Sequence, residues 1–410
     1  MFRHRGARLS PAIAFQRKQA LWTVALLAAP LLFLAAAFFY PIATFLYRSL
    51  DNAEISGSLT ATGKAIATWD QNSALPGEDV FKALVQDLSD TQKSGRQALL
   101  ARYLNYRVTG FRTLVMATAE AAPGLLARGV PFKEHLIEFD QRWSDKRYWL
   151  AIARDTGPVT SFYFLDATDL EIMDDGSIRK KAAEEALYVG VFGRTLLISF
   201  SVTVICLLIA YPIAFLVASS HPKTARRLML FVVLPFWSSL LIRSTAWVIL
   251  LQEQGPLNDL LLAAGLFSET VPIAYTRSAV LIAMTDILLP FMTLPIYSNM
   301  KGIPPHYMKA AISLGATPFQ AFRRVYLPLS LPGVAAGCLL VFVLALGYYI
   351  TPDLVGGRSD QMLSWFVAQY TNKVVNWGLA AALGTILFIL TLVIYLVFAW
   401  KVGVNRIRLE

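Results

Sequence analysis

Six apolar runs dominate this sequence, and each is long enough to cross a lipid bilayer. About 20 consecutive, mainly apolar residues are needed to cross a hydrocarbon core roughly 30 Å thick. Only 16% of the residues are charged, whereas a typical soluble domain has about 25%. The pattern predicts an all-α polytopic membrane protein with six transmembrane helices. The runs cover Ala20–Tyr47, Leu196–Ala218, Leu228–Leu251, Ala279–Met300, Pro332–Ile350 and Trp377–Trp400.

The first run follows Arg17 and Lys18, as the apolar core of a secretory signal would. It is longer than the roughly 7–15 residues of such a core, and no clear small-residue cleavage site follows it. We therefore expect residues 20–47 to be a retained transmembrane helix that is preceded by a short tail, residues 1–19.

The net charge of +10 could indicate a nucleic-acid partner, but the basic residues lie at the ends of the apolar runs. The two tails and the loops after the second and fourth runs together hold 15 Lys and Arg residues and one acid, Glu410. Cytoplasmic segments of membrane proteins carry such an excess of Lys and Arg. This distribution predicts that both termini, including the tail 403–410, are cytoplasmic, and it argues against nucleic-acid binding.

Residues 48–194, called the insert below, are then predicted to lie outside the cytoplasm. The insert is too long to be an unstructured connection, and 20 of the 27 acidic residues lie between Asp51 and Gly190. Helical spacing of apolar residues predicts a mainly helical domain. The expected elements are helices around Phe81–Leu88, Leu99–Leu104 and Phe132–Ile152, a β-prone stretch at Val159–Leu165 and a turn at Asp174–Gly176.

The coupling segment, residues 301–331, lies between the fourth and fifth runs and has a basic bias. Its pattern predicts a helix, a break at Gly315 and a second helix, because glycine permits the positive φ of a sharp reversal. Pro318 suits the first turn of the second helix. Pro328 and Pro332 are expected to end this structure before the fifth span. Small and apolar side chains on one turn of the first helix suit it for docking into a partner: Ala310, Ala311 and Leu314.

The coupling segment resembles the cytoplasmic coupling loop of ABC-importer permeases. That loop has the pattern Glu-Ala-Ala, three residues, Gly, nine residues and Ile-x-Leu-Pro. The same spacing occurs here, with Lys309 in place of Glu and Val325 in place of Ile. The matching residues are Lys309-Ala310-Ala311, Gly315 and Val325-Tyr326-Leu327-Pro328. The resemblance assigns ATPase coupling to Lys309, Ala310, Ala311, Leu314, Gly315, Leu327 and Pro328.

Three other stretches are similar to spans of the polyamine (spermidine/putrescine) type of these permeases. They are Pro235–Trp247, Leu289–Pro295 and Gly347–Gly357. The likeness covers about Val189 to Val402 and excludes the insert. It implies a bacterial inner-membrane permease that imports a small amine-bearing solute. The implied partners are a second permease subunit, two ATPase subunits and a periplasmic solute-binding protein.

Four polar or aromatic residues are candidates for the translocation path: Trp237, Arg243, Trp247 and Asp286. Charges at membrane depth are costly and mark functional sites. Arg243 and Asp286 fall at similar depths, so they can form an ion pair between helices, or Asp286 can face a path for a cation. Trp237 and Trp247 can line that path through cation–π contacts, or pack between helices and anchor them at the interface.

Other classes of site lack support in the sequence. Cys206 and Cys338 lie inside spans and are expected to be core residues. No Gly-x4-Gly-Lys-Ser/Thr motif occurs, so ATP and Mg²⁺ are expected in the partner ATPases and no cofactor in this chain. The stretch Leu354–Arg358 is predicted to be a flexible turn.

Two rival functions remain open at this point. A secondary transporter would need intramembrane carboxylates or broken helices for ion coupling, and Asp286 is a single such residue. A membrane-anchored sensor could use the insert to bind a ligand, but six spans and short tails do not fit an output domain.

Overall fold

The computed structural model describes residues 22, 26–28, 30–71, 73–129, 131–173 and 175–402, without the side chains of 401 and 402. Asp174 of the predicted turn and the tails 1–19 and 403–410 lie outside the described residues. The first span ends with α1 (Tyr40–Tyr47). The insert then contains α2 (Ala53–Ser58), α3 (Thr60–Ile66), α4 (Glu78–Lys93), α5 (Gln97–Arg107), α6 (Phe111–Arg128), α7 (Phe132–Phe139), α8 (Lys146–Arg154) and α9 (Phe162–Ala167). A two-stranded antiparallel hairpin follows, β1 (Leu170–Ile172) and β2 (Ile178–Lys180).

The part of the chain that resembles a permease, from Tyr188 onward and called the permease part below, contains only helices and connecting loops in the described residues. Its α-helices are α10 (Tyr188–Ser219), α11 (Pro222–Val233), α12 (Leu240–Leu251), α13 (Pro256–Ala263), α14 (Arg277–Lys301), α15 (His306–Ser313), α16 (Pro318–Ala321), α17 (Leu327–Leu346), α18 (Ile350–Val355), α19 (Leu363–Asn372) and α20 (Trp377–Val402). Short 3₁₀ turns lie at Gln141–Ser144, Leu234–Trp237 and Arg358–Asp360, and π-helical turns at Ala35–Phe39 and Phe322–Tyr326.

Within the described residues, five helices are long and apolar enough to cross a membrane, and a bent pair raises the number to six. The five are Leu26–Tyr47, Tyr188–Ser219, Arg277–Lys301, Pro318–Leu346 and Trp377–Trp400. Large apolar side chains point outward from them, as lipid contact requires; Leu208 is 69% exposed. The predicted all-α polytopic fold is confirmed.

The third apolar run is not the single straight helix that its hydropathy predicts. Residues Pro222–Trp237 and Leu240–Ala263 meet at 97°. The backbone is extended at Ser238 and Ser239, with ψ near 144° and 142°. Pro235 has no N–H to donate to the carbonyl four residues earlier, and the chain tightens there into a 3₁₀ turn. Proline and two helix-breaking serines therefore divide this span into two halves.

The fifth span begins earlier than predicted, because Pro328 and Pro332 do not end the coupling segment. The helix runs without interruption from Pro318 to Leu346. A π-helical turn at Phe322–Tyr326 ends two residues before Pro328. The same arrangement occurs in the first span, where a π turn precedes Pro41. The wider π turn accommodates the missing proline N–H and the bulk of its ring.

Close packing between α14 and α17 forms the centre of the permease part. A Cβ added at Gly333 would lie 2.5 Å from Asn299 Cβ, and one at Gly337 would lie 2.9 Å from the Met292 sulfur. These glycines are four residues apart on one face of α17, where small residues let helix backbones approach closely. Buried residues of α10, including Cys206, complete this core.

The insert has its own hydrophobic core around Phe81, Trp143 and Trp149, all fully buried. The predicted single helix over Phe132–Ile152 is wrong, since the chain breaks into α7, a 3₁₀ turn and α8. Asp140 and Asp145 cause the breaks, because each side chain caps the start of the next element. The predicted β-prone stretch is also wrong apart from one bridge at Val159, because α9 occupies most of it.

The insert is packed against the last span. Tyr163 of α9 occupies the space beside Gly378, where a Cβ would lie 2.3 Å from its ring. Burial raises the pKa of Tyr163 to about 12, outweighing the opposing charge of Arg107. The hydroxyls of Tyr188 and Tyr370 are 2.6 Å apart and join the start of α10 to α19. The first contact fixes the insert to the start of α20, and the second fixes the start of α10 to α19.

Two contacts show which helix ends share a side of the molecule. Arg194 of α10 donates to the Gln361 carbonyl at 3.0 Å, and Arg277 of α14 pairs with Asp360 at 3.0 Å. The starts of α10 and α14 therefore lie together, on the side of the insert. The coupling segment begins at Lys301, the last residue of α14, which is about 36 Å along the helix from its first residue.

Candidate coupling segment and translocation path

The coupling segment reverses direction at Gly315, which has φ = +90°. The amide of Gly315 donates to the Ile312 carbonyl and that of Ala316 to the Ala311 carbonyl. These two bonds form a Schellman motif, which needs a left-handed residue at its turn. The prediction of a glycine break is confirmed.

The second helix of the coupling segment begins as predicted, with Pro318 in its first turn. Thr317 accepts a hydrogen bond from the Gln320 amide at 3.3 Å, and the Gln320 side chain accepts one from the Thr317 amide at 3.2 Å. This reciprocal capping box satisfies two backbone donors that would otherwise be free. The geometry of the turn is therefore fixed on both sides of Gly315.

Apolar side chains project from the turn instead of packing inside the chain. Leu314 is 89% exposed and Phe319 is 70% exposed. Lys309 and Ala310 are exposed, whereas Ala311 and Leu327 are half-buried; Pro328 is exposed on the continuous helix. Large apolar side chains exposed on a single turn are typical of interaction surfaces.

Aromatic contacts attach the coupling segment to the spans. Phe322 and Tyr326 lie on the π turn, and the Phe215 ring of α10 meets both at 5.6 and 5.3 Å between centroids. Tyr211 of α10 adds a 2.9 Å hydrogen bond to Ser330. Edge-to-face aromatic contacts favour defined relative orientations, so the segment and α10 form a stiff joint.

The path candidates do not form the ion pair that their depths suggested. The Asp286 carboxylate accepts a 3.1 Å hydrogen bond from the Trp247 indole. Within the described residues, Arg243 forms no ion pair with Asp286, and its Nε and Nη1 atoms are buried without a hydrogen-bond partner. Trp237 lies beside the bend in the third span, and it is 78% exposed. The structure thus brings together Trp247 and Asp286 and leaves Trp237 outside.

One family of transport proteins matches the permease part of the chain. The family described as "Binding-protein-dependent transport system inner membrane component" covers residues 195–408, about half of the chain. This chain belongs to that family. It is therefore a permease subunit of an ABC importer, with several membrane-spanning helices.

Two curated relatives carry the name spermidine/putrescine transport system permease protein PotB. The protein of Haemophilus influenzae is 40% identical over 212 residues, which are 51% of this chain and 74% of the relative. The protein of Escherichia coli is 34% identical over 217 residues, 53% of this chain and 78% of the relative. A solved structure of a bacterial ABC importer of alginate has a TM-score of 0.44 at 18% identity, and it covers 68% of this chain and 94% of its own.

Two further features of this ABC permease were missed or misjudged from its sequence. Ser244 and Thr351 are both fully buried, and their hydroxyls are 2.9 Å apart between α12 and α18. In the sequence the two are single polar residues in or beside apolar runs, and nothing there pairs one with the other. The stretch Leu354–Arg358, predicted to be a flexible turn, begins in α18 and is closely packed at Gly356 and Gly357. A Cβ at Gly356 would lie 2.6 Å from Val280, and one at Gly357 would lie 2.7 Å from the Tyr275 carbonyl.

Proposed function

We propose that this permease imports a small polyamine-like or other amine-bearing solute and is driven through its coupling segment by ATPase subunits. The observation that carries the coupling proposal is the exposed apolar surface around Leu314, held by the Schellman motif at Gly315. Leu314 is 89% exposed, and covering such an apolar side chain with a partner surface is favourable because it removes apolar area from water.

The proposed assembly follows from the family. Two ATPase subunits bind ATP and Mg²⁺ and receive the coupling segment on the cytoplasmic side. A second, distinct permease subunit completes the path, and a periplasmic solute-binding protein delivers the solute. The insert then lies in the periplasm, because it occupies the opposite ends of α10 and α14, and both termini are cytoplasmic.

The solute class rests on the PotB relatives and on Asp286. Their names state spermidine and putrescine, which are cations. Asp286 provides a carboxylate between spans, where a lowered dielectric strengthens its attraction for an ammonium group. Its bond to Trp247 places an aromatic ring beside the carboxylate, and such rings bind organic cations.

Uptake by the reconstituted complex tests the solute class. The permease, its partner subunits and the binding protein are placed in proteoliposomes, and radiolabelled putrescine and spermidine are supplied with ATP inside. We expect ATP-dependent uptake of these amines and no competition by anionic or neutral solutes of similar size. Uptake of an anion alone would contradict the proposal.

Asp286→Asn tests the path residue within the same assay. Loss of the charge is expected to slow putrescine uptake about fivefold, equivalent to about 1 kcal/mol. Trp247→Phe is the matched control, because it removes the hydrogen bond but keeps the carboxylate, and it should remain near the wild-type rate. If both variants instead reduce the yield of assembled complex equally, the pair is structural and not part of the path.

Lys309→Glu tests contact with the ATPase subunits. Lys309 is exposed beside the apolar surface and is expected to face acidic or carbonyl groups of this ATPase. The charge reversal should lower the amount of ATPase that co-purifies with the permease severalfold. Lys373→Glu, an exposed position at the end of α19 on the insert side, carries the same reversal and should not. Full recovery and activity of the Lys309 variant would show that the contact is unimportant.

A further inference from the structure

A surface cleft of about 310 Å³ lies on the insert side, where the chain passes from α12 to α14. Its volume is at the lower end of the roughly 300–1,000 Å³ of small-molecule sites. It is lined by Gln252, Glu253, Gln254, Pro272, Ala274 and Tyr275. The residues around this small space therefore include one carboxylate, two side-chain amides and one aromatic ring.

A buried asparagine holds the two walls of this cleft together. Asn258 is 1% exposed and lies between the segment at Gln252 and the segment at Val271. Its amide nitrogen donates to the carbonyls of Gln252 and Val271, and its oxygen accepts from the Val271 amide, all at 3.0 Å. The cleft is therefore built by satisfied buried hydrogen bonds and does not depend on surface side chains alone.

The backbone of the aromatic wall is held in an unusual conformation. Tyr275 has φ = +60°, which non-glycine residues rarely adopt. The Tyr275 amide donates to the Val355 carbonyl at 2.9 Å, and the Ala274 amide donates to the Leu251 carbonyl at 3.1 Å. Such a conformation persists only where its surroundings fix it, and it is common at ligand sites. The ring itself is 57% exposed and is free to meet a ligand.

The cleft stands at the ends of the helices that carry the path candidates. Residue Leu251 ends α12, which carries Trp247, and Arg277 begins α14, which carries Asp286. Asp286 is nine residues into α14, so it lies about 14 Å below the rim of the cleft along the helix. A solute leaving the cleft between these helices would meet the second carboxylate next.

We propose that this cleft binds one ammonium group of a small organic amine before the amine enters the span region. The Glu253 carboxylate supplies the opposite charge, the side-chain oxygens of Gln252 and Gln254 accept N–H bonds, and the Tyr275 ring supplies a cation–π face. This inference rests on the proposed import of amines, and it adds an outer site that a binding protein could fill.

Equilibrium binding of radiolabelled putrescine to the purified complex in nanodiscs, without the binding protein, tests the site. We expect wild-type complex to bind putrescine more weakly as salt rises, because screening weakens exposed charge pairs. Glu253→Gln should weaken binding about fivefold. Glu269→Gln removes an exposed acid from the same connecting segment but not from the cleft, and it should bind as the wild type does. The neutral analogue 1,4-butanediol should not compete.

Three results would overturn the assignment. If Glu253→Gln and the wild type bind putrescine equally, while wild-type proteoliposomes take up putrescine, the cleft is not the site and the proposed function stands. If the wild-type complex neither imports nor binds putrescine, the proposed function is wrong, and the assignment of an amine to the cleft is wrong with it. Equal weakening by Glu253→Gln and Glu269→Gln would show only a general effect of surface charge and would also refute the site.

Discussion

Gly315→Val is expected to leave the permease inserted in the membrane and to reduce ATP-driven solute uptake at least tenfold. Gly315 has φ = +90°, and no neighbouring atom lies within 4 Å of the position that a Cβ would take. The first atom of a valine side chain would therefore fit. The backbone is the obstacle, because a β-branched residue in this region is strained by about 1–3 kcal/mol. The Schellman turn would open, and Leu314 and Phe319 would no longer present one surface to the ATPase subunits.

Gly95→Val is the matched control for this experiment. Gly95 has φ = +70° and open space, and its neighbours form the same pair of hydrogen bonds at the end of α4. A valine at this position would cause similar backbone strain, but in the insert, far from the coupling segment. Solute-stimulated ATPase activity and uptake are measured for both variants in proteoliposomes. Normal uptake by the Gly315 variant would contradict the coupling assignment.

Arg107→Met is expected to destabilise the insert by about 3–5 kcal/mol, because it leaves a buried carboxylate without its counter-ion. Arg107 Nε lies 2.5 Å from Asp155 Oδ2, and the two side chains are 3% and 5% exposed. The guanidinium also lies 4.0 Å from the centroid of the Phe162 ring and 4.8 Å from that of Tyr163. Its loss should therefore loosen α9 from the last span as well.

Thermal unfolding and limited proteolysis of the purified protein in detergent measure this effect. Arg96→Met is the control, since Arg96 and Glu54 form a 2.7 Å pair in the same domain with 44% and 39% exposed side chains. Exposed pairs contribute about 0–1 kcal/mol, so this variant should unfold near the wild-type temperature. Equal stability of the two variants would show that the buried pair does not hold α9 in place.

Local chemistry explains what could be predicted from the sequence. The break at Gly315 and the helix start at Pro318 follow from the dihedral angles that glycine and proline allow, and both are present. The apolar runs likewise identify spans, because no neighbour is needed to make a long apolar helix prefer lipid. Features of this kind depend on a few consecutive residues.

Features that depend on distant residues or on competing local signals were not predictable. Asp140 was a plausible helix residue until its side chain was seen to cap the next turn. Pro328 is a strong helix terminator, yet a π turn before it lets the helix continue. Asp286 had an obvious charged partner in Arg243, but the bond that forms is with Trp247. A side-chain cap decided the first case, the local backbone geometry decided the second, and packing between helices decided the third.

The uninterrupted helix from Pro318 to Leu346 has a mechanical consequence. Its 29 residues make a lever about 43 Å long, with the exposed turn at Gly315 beside one end and α18 beside the other. A tilt of about 10° about one end would displace the other by about 7 Å, given a rise of 1.5 Å per residue. Small angular movements at the coupling segment are thereby magnified into distances comparable to the width of a small solute, with no intervening loop to absorb them.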